Sequence, residues 1–336
     1  MTTSQLVAGS TLGRLKGHAR QQFVVWGILP VLLVVLIVTF AIMEPRFLSA
    51  ANILNVARQV SFLGIITIGQ MFYLVTRNYD LSNGATVALS SIVCASVMAG
   101  QPQSSPALAI LLGCGAGLVI GLVVGLINST LIAGLRISSF IVTLGVSSVS
   151  TGLALMISGG VPITGLPGEF SRYFGTSTLA GIPFPTAVMI VILAIAYVVF
   201  TWTPMGRHAY AVGGNESAAF HSGVNVKLTL SVMMVSGSLL AALVGVMITA
   251  RVGTGEANIG VQYPLLSIIA AVLGGISLYG GAGRVSGAFM GALFIVLLSN
   301  GMDMIRVQSY VQLILLGALL VSALIIDRLR IRTRLA

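Results

Sequence analysis

The chain has 336 residues, 57% of them hydrophobic and 7% charged, with 17 Lys or Arg against 7 Asp or Glu and a net charge of +10. An ordinary soluble domain carries about 25% charged residues, so a water-soluble globule is excluded, and the apolar residues arrive in blocks long enough to cross a bilayer. The basic excess sits in short loops and at the two ends, which is the pattern of membrane orientation and not of a nucleic-acid surface.

In chain order the blocks predict ten helical segments, over 24–43, 53–76, 84–100, 107–134, 139–158, 186–203, 228–251, 264–280, 285–302 and 309–327. The first is too long for a signal-peptide core and lacks a small-residue cleavage site before Glu44 and Pro45, so it reads as a retained span. The third, eighth and ninth are short and interrupted by glycine, the signature of broken or re-entrant helices. Between the fifth and sixth, 159–185 carries Pro162, Pro167, Pro183 and Pro185 and cannot be one helix. Between the sixth and seventh, 203–227 reads as a short helical excursion flanked by Gly213, Gly214 and Gly223.

Positive charge in short loops stays cytoplasmic. With both termini inside, the inner face collects Arg14, Lys16, Arg20, Arg77, Arg136, Arg207, Lys227, Arg284, Arg328, Arg330, Arg332 and Arg334. The outer face receives only Arg46, Arg58, Arg172, Arg251 and Arg306. The expected organisation is a cytoplasmic tail over 1–22, a transmembrane body over 23–327 with a periplasmic loop at 159–185 and a cytoplasmic loop at 203–227, and a basic cytoplasmic tail over 328–336.

Gly113, Gly117, Gly121 and Gly125 recur every four residues, so they form one stripe along a helix that a neighbour can approach at backbone distance. Gly283, Gly287 and Gly291 repeat the device in the ninth segment. Such stripes serve helix packing, or sliding contacts in a gating motion. Cys94 and Cys114 fall in apolar segments as small hydrophobes, and no metal-binding spacing occurs.

Ion-coupled carriers keep ionisable side chains in mid-membrane, whereas Asp80, Glu216, Glu256, Asp303 and Arg306 fall at segment ends or in loops. No acid pair, zinc motif or histidine cluster lies in a span, so neither an enzyme nor a cofactor is expected. The polar groups inside the spans are neutral: Asn55, Gln59, Gln70, Tyr73, Asn128, Thr143, Ser147, Ser148 and Asn300. They suit a neutral, hydroxyl-rich solute, or interhelical hydrogen bonds worth roughly 0.6 kcal/mol each.

Several stretches carry more specific patterns. They are TPMGRHAYAVGGNESAAFHSGVNV from Thr203, IIAAVLGGISLYGGAGRVSGAFMGAL from Ile268, LSNGMDM from Leu298, FIVTLG from Phe140 and YDLSNGA from Tyr79. Together they resemble the permease subunits of bacterial ATP-binding-cassette importers for monosaccharides, of the ribose, xylose and galactose type. The resemblance implies an all-α polytopic permease fold of about ten helices, some broken, in the bacterial inner membrane. It also implies a second permease copy or a similar subunit, a cytoplasmic ATPase, and a periplasmic or lipoprotein sugar-binding protein. Within the cytoplasmic loop, Gly206, Arg207, Gly213, Gly214, Asn215, Glu216, Ala218, Ala219 and Gly223 are the expected ATPase-coupling residues. Asn215 is placed to cap a short helix, with Glu216 in its first turn and Gly223 ending it. Tyr73, Asp80, Asn128 and Asn300 are the expected lining of the solute pathway. The competing expectation is a stand-alone secondary carrier for a small neutral solute. The chain departs from the family pattern at Arg77, Asn78 and Tyr79, at Asn83, and at Gln262, Tyr263, Pro264 and Leu265.

Overall fold

The computed structural model describes residues 29–102 and 105–335. The expected amino-terminal tail and the first residues of the first segment lie outside that range. The described residues hold six helices long and apolar enough to cross a membrane and four shorter apolar ones. These are α1 (Leu29–Met43), α2 (Ala50–Val75), α3 (Asn83–Ala99), α4 (Pro106–Ser129), α5 (Ser139–Ser158) and α6 (Phe184–Trp202). Two polar-loop helices follow, α7 (Pro204–Gly214) and α8 (Glu216–His221), then α9 (Val226–Val252), α10 (Tyr263–Leu273), α11 (Val285–Met304) and α12 (Ser309–Leu335). All ten predicted segments therefore form helices. Local chemistry sets several boundaries: the Ser49 hydroxyl accepts from Asn52 N at 3.3 Å, the Asn225 side chain accepts from Leu228 N at 3.0 Å, and Pro106 opens α4.

Three expectations need correction. The eighth segment ends at Leu273, not near 280, because Gly275 turns the chain with φ +81°. At 11 residues, α10 spans about 16 Å, half of a hydrocarbon core of about 30 Å. The ninth segment is not broken: α11 is continuous over 20 residues, and Gly283 lies in the loop ahead of it. At the carboxy terminus, α12 runs without interruption to Leu335, so 328–335 continues a helix.

The two longest central helices, α2 and α9, are 56% and 67% buried in their most apolar windows, against 22% for α5 and α6. Apolar side chains such as Ile141 (66% exposed) and Met156 (71%) cover the outside of α5, as a lipid-facing or copy-facing helix requires. The glycine stripe of α4 faces α3 and α9. A Cβ at Gly113 would lie 2.8 Å from Cys94 O, one at Gly121 2.8 Å from Ser238 O, and one at Gly125 2.7 Å from Val235 Cα. Gly117 sits in the same seam, against Ser90 and Val246. On α11, Gly287 and Gly291 press on the backbone of Gly274 and Ala270, which fixes the half-length α10 in place. These are packing contacts, made where small residues replace the hydrophobic drive that lipid does not provide. As expected, 159–185 is not one helix: a π-helical turn over Ser171–Thr176 leads into a two-residue hairpin, β1 (Thr178–Leu179) against β2 (Ile182–Pro183).

Candidate translocation and coupling site

One end of the bundle is built by α7 and α8. The Asn215 side chain accepts from Ala218 N at 2.9 Å, as the sequence predicts, and Gly223 follows α8 with φ +83°. Glu216 stands in the first turn and meets Arg136 at 3.7 Å, with both side chains largely exposed. An exposed pair of this kind is worth at most about 1 kcal/mol. Arg207, Gly214, Glu216 and Ala218 face outward, whereas Gly206, Gly213 and Ala219 are buried. Ala219 sits in the apolar cluster with Val212, Val226 and Leu230, so it anchors α8 to the bundle and does not offer a docking face. The exposed apolar side chain is Phe220, 64% accessible. Its neighbours in sequence were the expected contacts; its own exposure follows from the helical register that Asn215 starts.

A second group gathers where the 76–82 loop re-enters the bundle. The Asp80 carboxylate accepts from Ser82 N at 2.8 Å and from the Ser82 hydroxyl at 2.6 Å. The Asn128 amide donates to Ser82 Oγ at 3.1 Å and to the Tyr73 hydroxyl at 3.3 Å. That hydroxyl donates to Met234 O at 3.2 Å beside Ser238. The Asn83 amide donates to Gln70 Oε1 at 3.0 Å and to Ser267 Oγ at 3.2 Å. Burial raises the Asp80 pKa to about 6, against the opposing effect of its Ser82 hydrogen bonds. Three polar atoms here are buried without a partner: Gln70 Nε2, Asn83 Oδ1 and Asn128 Oδ1. Such orphans are uncommon in a finished core, and these two acceptors and one donor match what a pair of hydroxyl groups can satisfy.

The structure therefore unites three of the four expected pathway residues, Tyr73, Asp80 and Asn128, and adds Gln70, Asn83 and Ser267. Asn300 stands apart. It exchanges two amide hydrogen bonds with Asn52, at 2.8 and 3.0 Å, and so pins α11 to α2. Asn55 is likewise engaged elsewhere, accepting from Arg251 Nη2 at 2.9 Å.

The two regions touch. A cleft of about 870 Å³ lies between the 76–82 loop and α8, lined among others by Arg77, Tyr79, Arg136, Ser139, Phe220 and Lys227. Beside it, Gly213 at the end of α7 rests on Val75 O, which also accepts from Gly281 N at 2.9 Å. The Tyr210 hydroxyl donates to Gly283 O at 2.8 Å, and the Tyr79 hydroxyl to Leu278 O at 3.1 Å. The end of α2, the 274–284 loop and α7 are thus locked backbone to backbone.

One sequence expectation fails within the helices. Arg58 lies inside α2, so this span does carry an ionisable side chain, and its Nε is buried without a hydrogen-bond partner. Counting it as an outer-face charge concealed its depth.

A family described as branched-chain amino acid transport system / permease component matches residues 52–324. The ribose import permease protein RbsC of Bacillus subtilis is 40% identical over 297 residues, covering 88% of this chain and 90% of the relative. The D-allose transport system permease protein AlsC of Escherichia coli is 34% identical over 299 residues, covering 89% and 90%. The galactose/methyl galactoside import permease protein MglC of Escherichia coli is 33% identical over 316 residues, covering 89% and 93%. No solved structure matches the chain significantly.

Proposed function

We propose, from the premise that this chain belongs to the branched-chain amino acid transport system / permease component family, that it is the permease subunit of an ATP-driven importer of a monosaccharide or similar polyol. The observation that carries the reading is the 40% identity to a ribose import permease over 88% of the chain. It favours the importer over the stand-alone carrier. The bundle of apolar helices makes the chain a multi-pass membrane protein, and as a transport permease it performs no bond chemistry of its own.

In this reading the membrane is the bacterial inner membrane and the α7–α8 end faces the cytoplasm, in keeping with Arg77, Arg136, Arg207, Lys227 and Arg284 on that side. Both termini then lie inside, with 159–185 periplasmic. A cytoplasmic ATPase docks on the outward face of α7 and α8, through Arg207, Gly214, Glu216, Ala218 and Phe220. Asn215 and Gly223 hold the shape of α8, and Gly206, Gly213 and Ala219 seat it on the bundle. A push on α8 passes through Gly213 to Val75 and Gly281, and so to the loops at 76–82 and 274–284. Gln70, Tyr73, Asp80, Asn83, Asn128 and Ser267 form the polar part of the route, where neutral amide and hydroxyl groups replace the water around a sugar. A sugar-binding protein delivers the solute outside, and two permease copies complete the assembly.

The test is uptake into liposomes holding this chain, the ATPase and the binding protein. Labelled ribose, allose or galactose is expected to accumulate only with ATP and the binding protein present. Accumulation by this chain alone, driven by an ion gradient, would refute the proposal.

A further inference from the structure

Two arginines lie close together at the end of the bundle opposite α7 and α8. Arg251, next to last in α9, donates to Asn55 Oδ1 at 2.9 Å, and Asn55 stands one helical turn before Arg58 on α2, with the Tyr263 phenol near Arg251. Arg58 sits nine residues into α2, about 12 Å from its start. Its Nε is buried without a hydrogen-bond partner. Arg136 and Glu216 pair at the other end, and among the described residues neither Arg58 nor Arg251 is paired with a carboxylate. Two like charges, partly buried in an almost uncharged body, are costly when left without a counter-charge. The groups around them, guanidinium forks, an amide and a phenol, are those that grip a planar or tetrahedral oxyanion. Arg58, Arg251 and Tyr263 are themselves half-buried, and the neighbouring Val261 and Gln262 are exposed.

We propose that Arg58 and Arg251, with Tyr263 beside them and Asn55 orienting Arg251, form a binding site for a small oxyanion, a carboxylate or phosphate. The anion comes either free from solution or from a lipid headgroup. The site is separate from the buried amide cluster and does not depend on which solute is carried.

The experiment uses the full chain in nanodiscs of phosphatidylcholine, with chloride as the sole buffer anion. Inorganic phosphate and acetate are added at constant ionic strength, and thermal unfolding is followed. A ligand that binds only the folded state raises Tm, here expected by about 2 °C or more near saturation. The rise should vanish in Arg58→Gln and in Arg251→Gln. If the headgroup is the source, nanodiscs containing phosphatidylglycerol show the rise unaided and phosphate adds nothing. In chloride alone, Arg58→Gln should melt no lower than the parent, because it removes an uncompensated charge. A fall of several degrees there would mean a structural arginine and would overturn the assignment. So would an equal response of parent and variants, or none to phosphate, acetate and phosphatidylglycerol alike. The assay contains neither sugar nor ATP, so its outcome is separate from that of the transport reading.

Discussion

Gly213 and Gly214 are adjacent on α7, yet the structure predicts opposite responses to the same substitution. A Cβ at Gly213 would lie 1.7 Å from Val75 O and 2.8 Å from Gly281 N, whereas one at Gly214 meets nothing within 4 Å. Ordinary contact begins at 3.4 Å, so in Gly213→Ala the end of α2 must part from α7 by about 1.7 Å. That movement strains or breaks the 2.9 Å bond from Gly281 N to Val75 O. A lost hydrogen bond costs about 1 kcal/mol, and overpacking of a seam adds about 1–3 kcal/mol, for a total of about 2–4 kcal/mol. Gly214→Ala gains helix propensity and should be neutral, or stabilising by about 0.5–1 kcal/mol. The assay is thermal unfolding of both variants in nanodiscs, followed by ATP-driven uptake. Gly213→Ala should melt lower and lose transport disproportionately, since the same carbonyl joins α7 to the 274–284 loop. Identical melting of the two variants would show that the α7 contact is not where the structure puts it.

On α8, Phe220→Ala should weaken copurification of the ATPase at least several-fold with little change in Tm, because its side chain is 64% exposed. Ala219→Arg should lower both, since Ala219 is 4% exposed and belongs to the core; ATPase capture and melting curves separate the two. Asp80 holds its proton more tightly when folded, with a pKa near 6 against 3.8 for the free side chain. Its contribution to stability is therefore largest below pH 4 and falls by about 3 kcal/mol as pH rises through 6, then levels off. Asp80→Asn should flatten the Tm profile between pH 4 and 7. Asn300→Leu leaves Asn52 Oδ1 without its donor, while Asn52 Nδ2 keeps Phe47 O, and should cost about 1–2 kcal/mol; Asn52→Leu with Asn300→Leu should recover part of it. A double-mutant cycle in nanodiscs measures that coupling.

Much of this was readable from the chain because a bilayer leaves few choices. Apolar blocks must become helices, and Asn215 was legible as the cap that starts α8, whereas the caps at Ser49 and Asn225 went unread. The eighth helix was overextended because hydropathy continues past Leu273, while the backbone turns at Gly275 with φ +81°, next to the Gly274 that packs on Gly287. Tyr73, Asp80 and Asn128 were recognisable as polar groups in apolar surroundings, and they do converge. Asn300 looked the same in sequence, but its partner Asn52 is far away along the chain, and no local pattern distinguishes a locked amide from one available to a solute. Ala218 and Ala219 carried the same expectation, and spacing alone does not show that the helical register exposes the first and buries the second. Arg58 falls inside the second predicted segment, yet it was counted only as an outer-face charge and left out of the ionisable groups within the spans.

The reciprocal amide pair of Asn52 and Asn300 has a bearing on biogenesis. The two residues are 248 positions apart, so at about 5–20 residues per second a ribosome needs roughly 12–50 s between them. Throughout that interval the newborn α2 carries an amide whose final partner has not been made. Until the penultimate long helix is made, the local bond from Asn52 to Phe47 O is the part of this contact that the early spans can already hold.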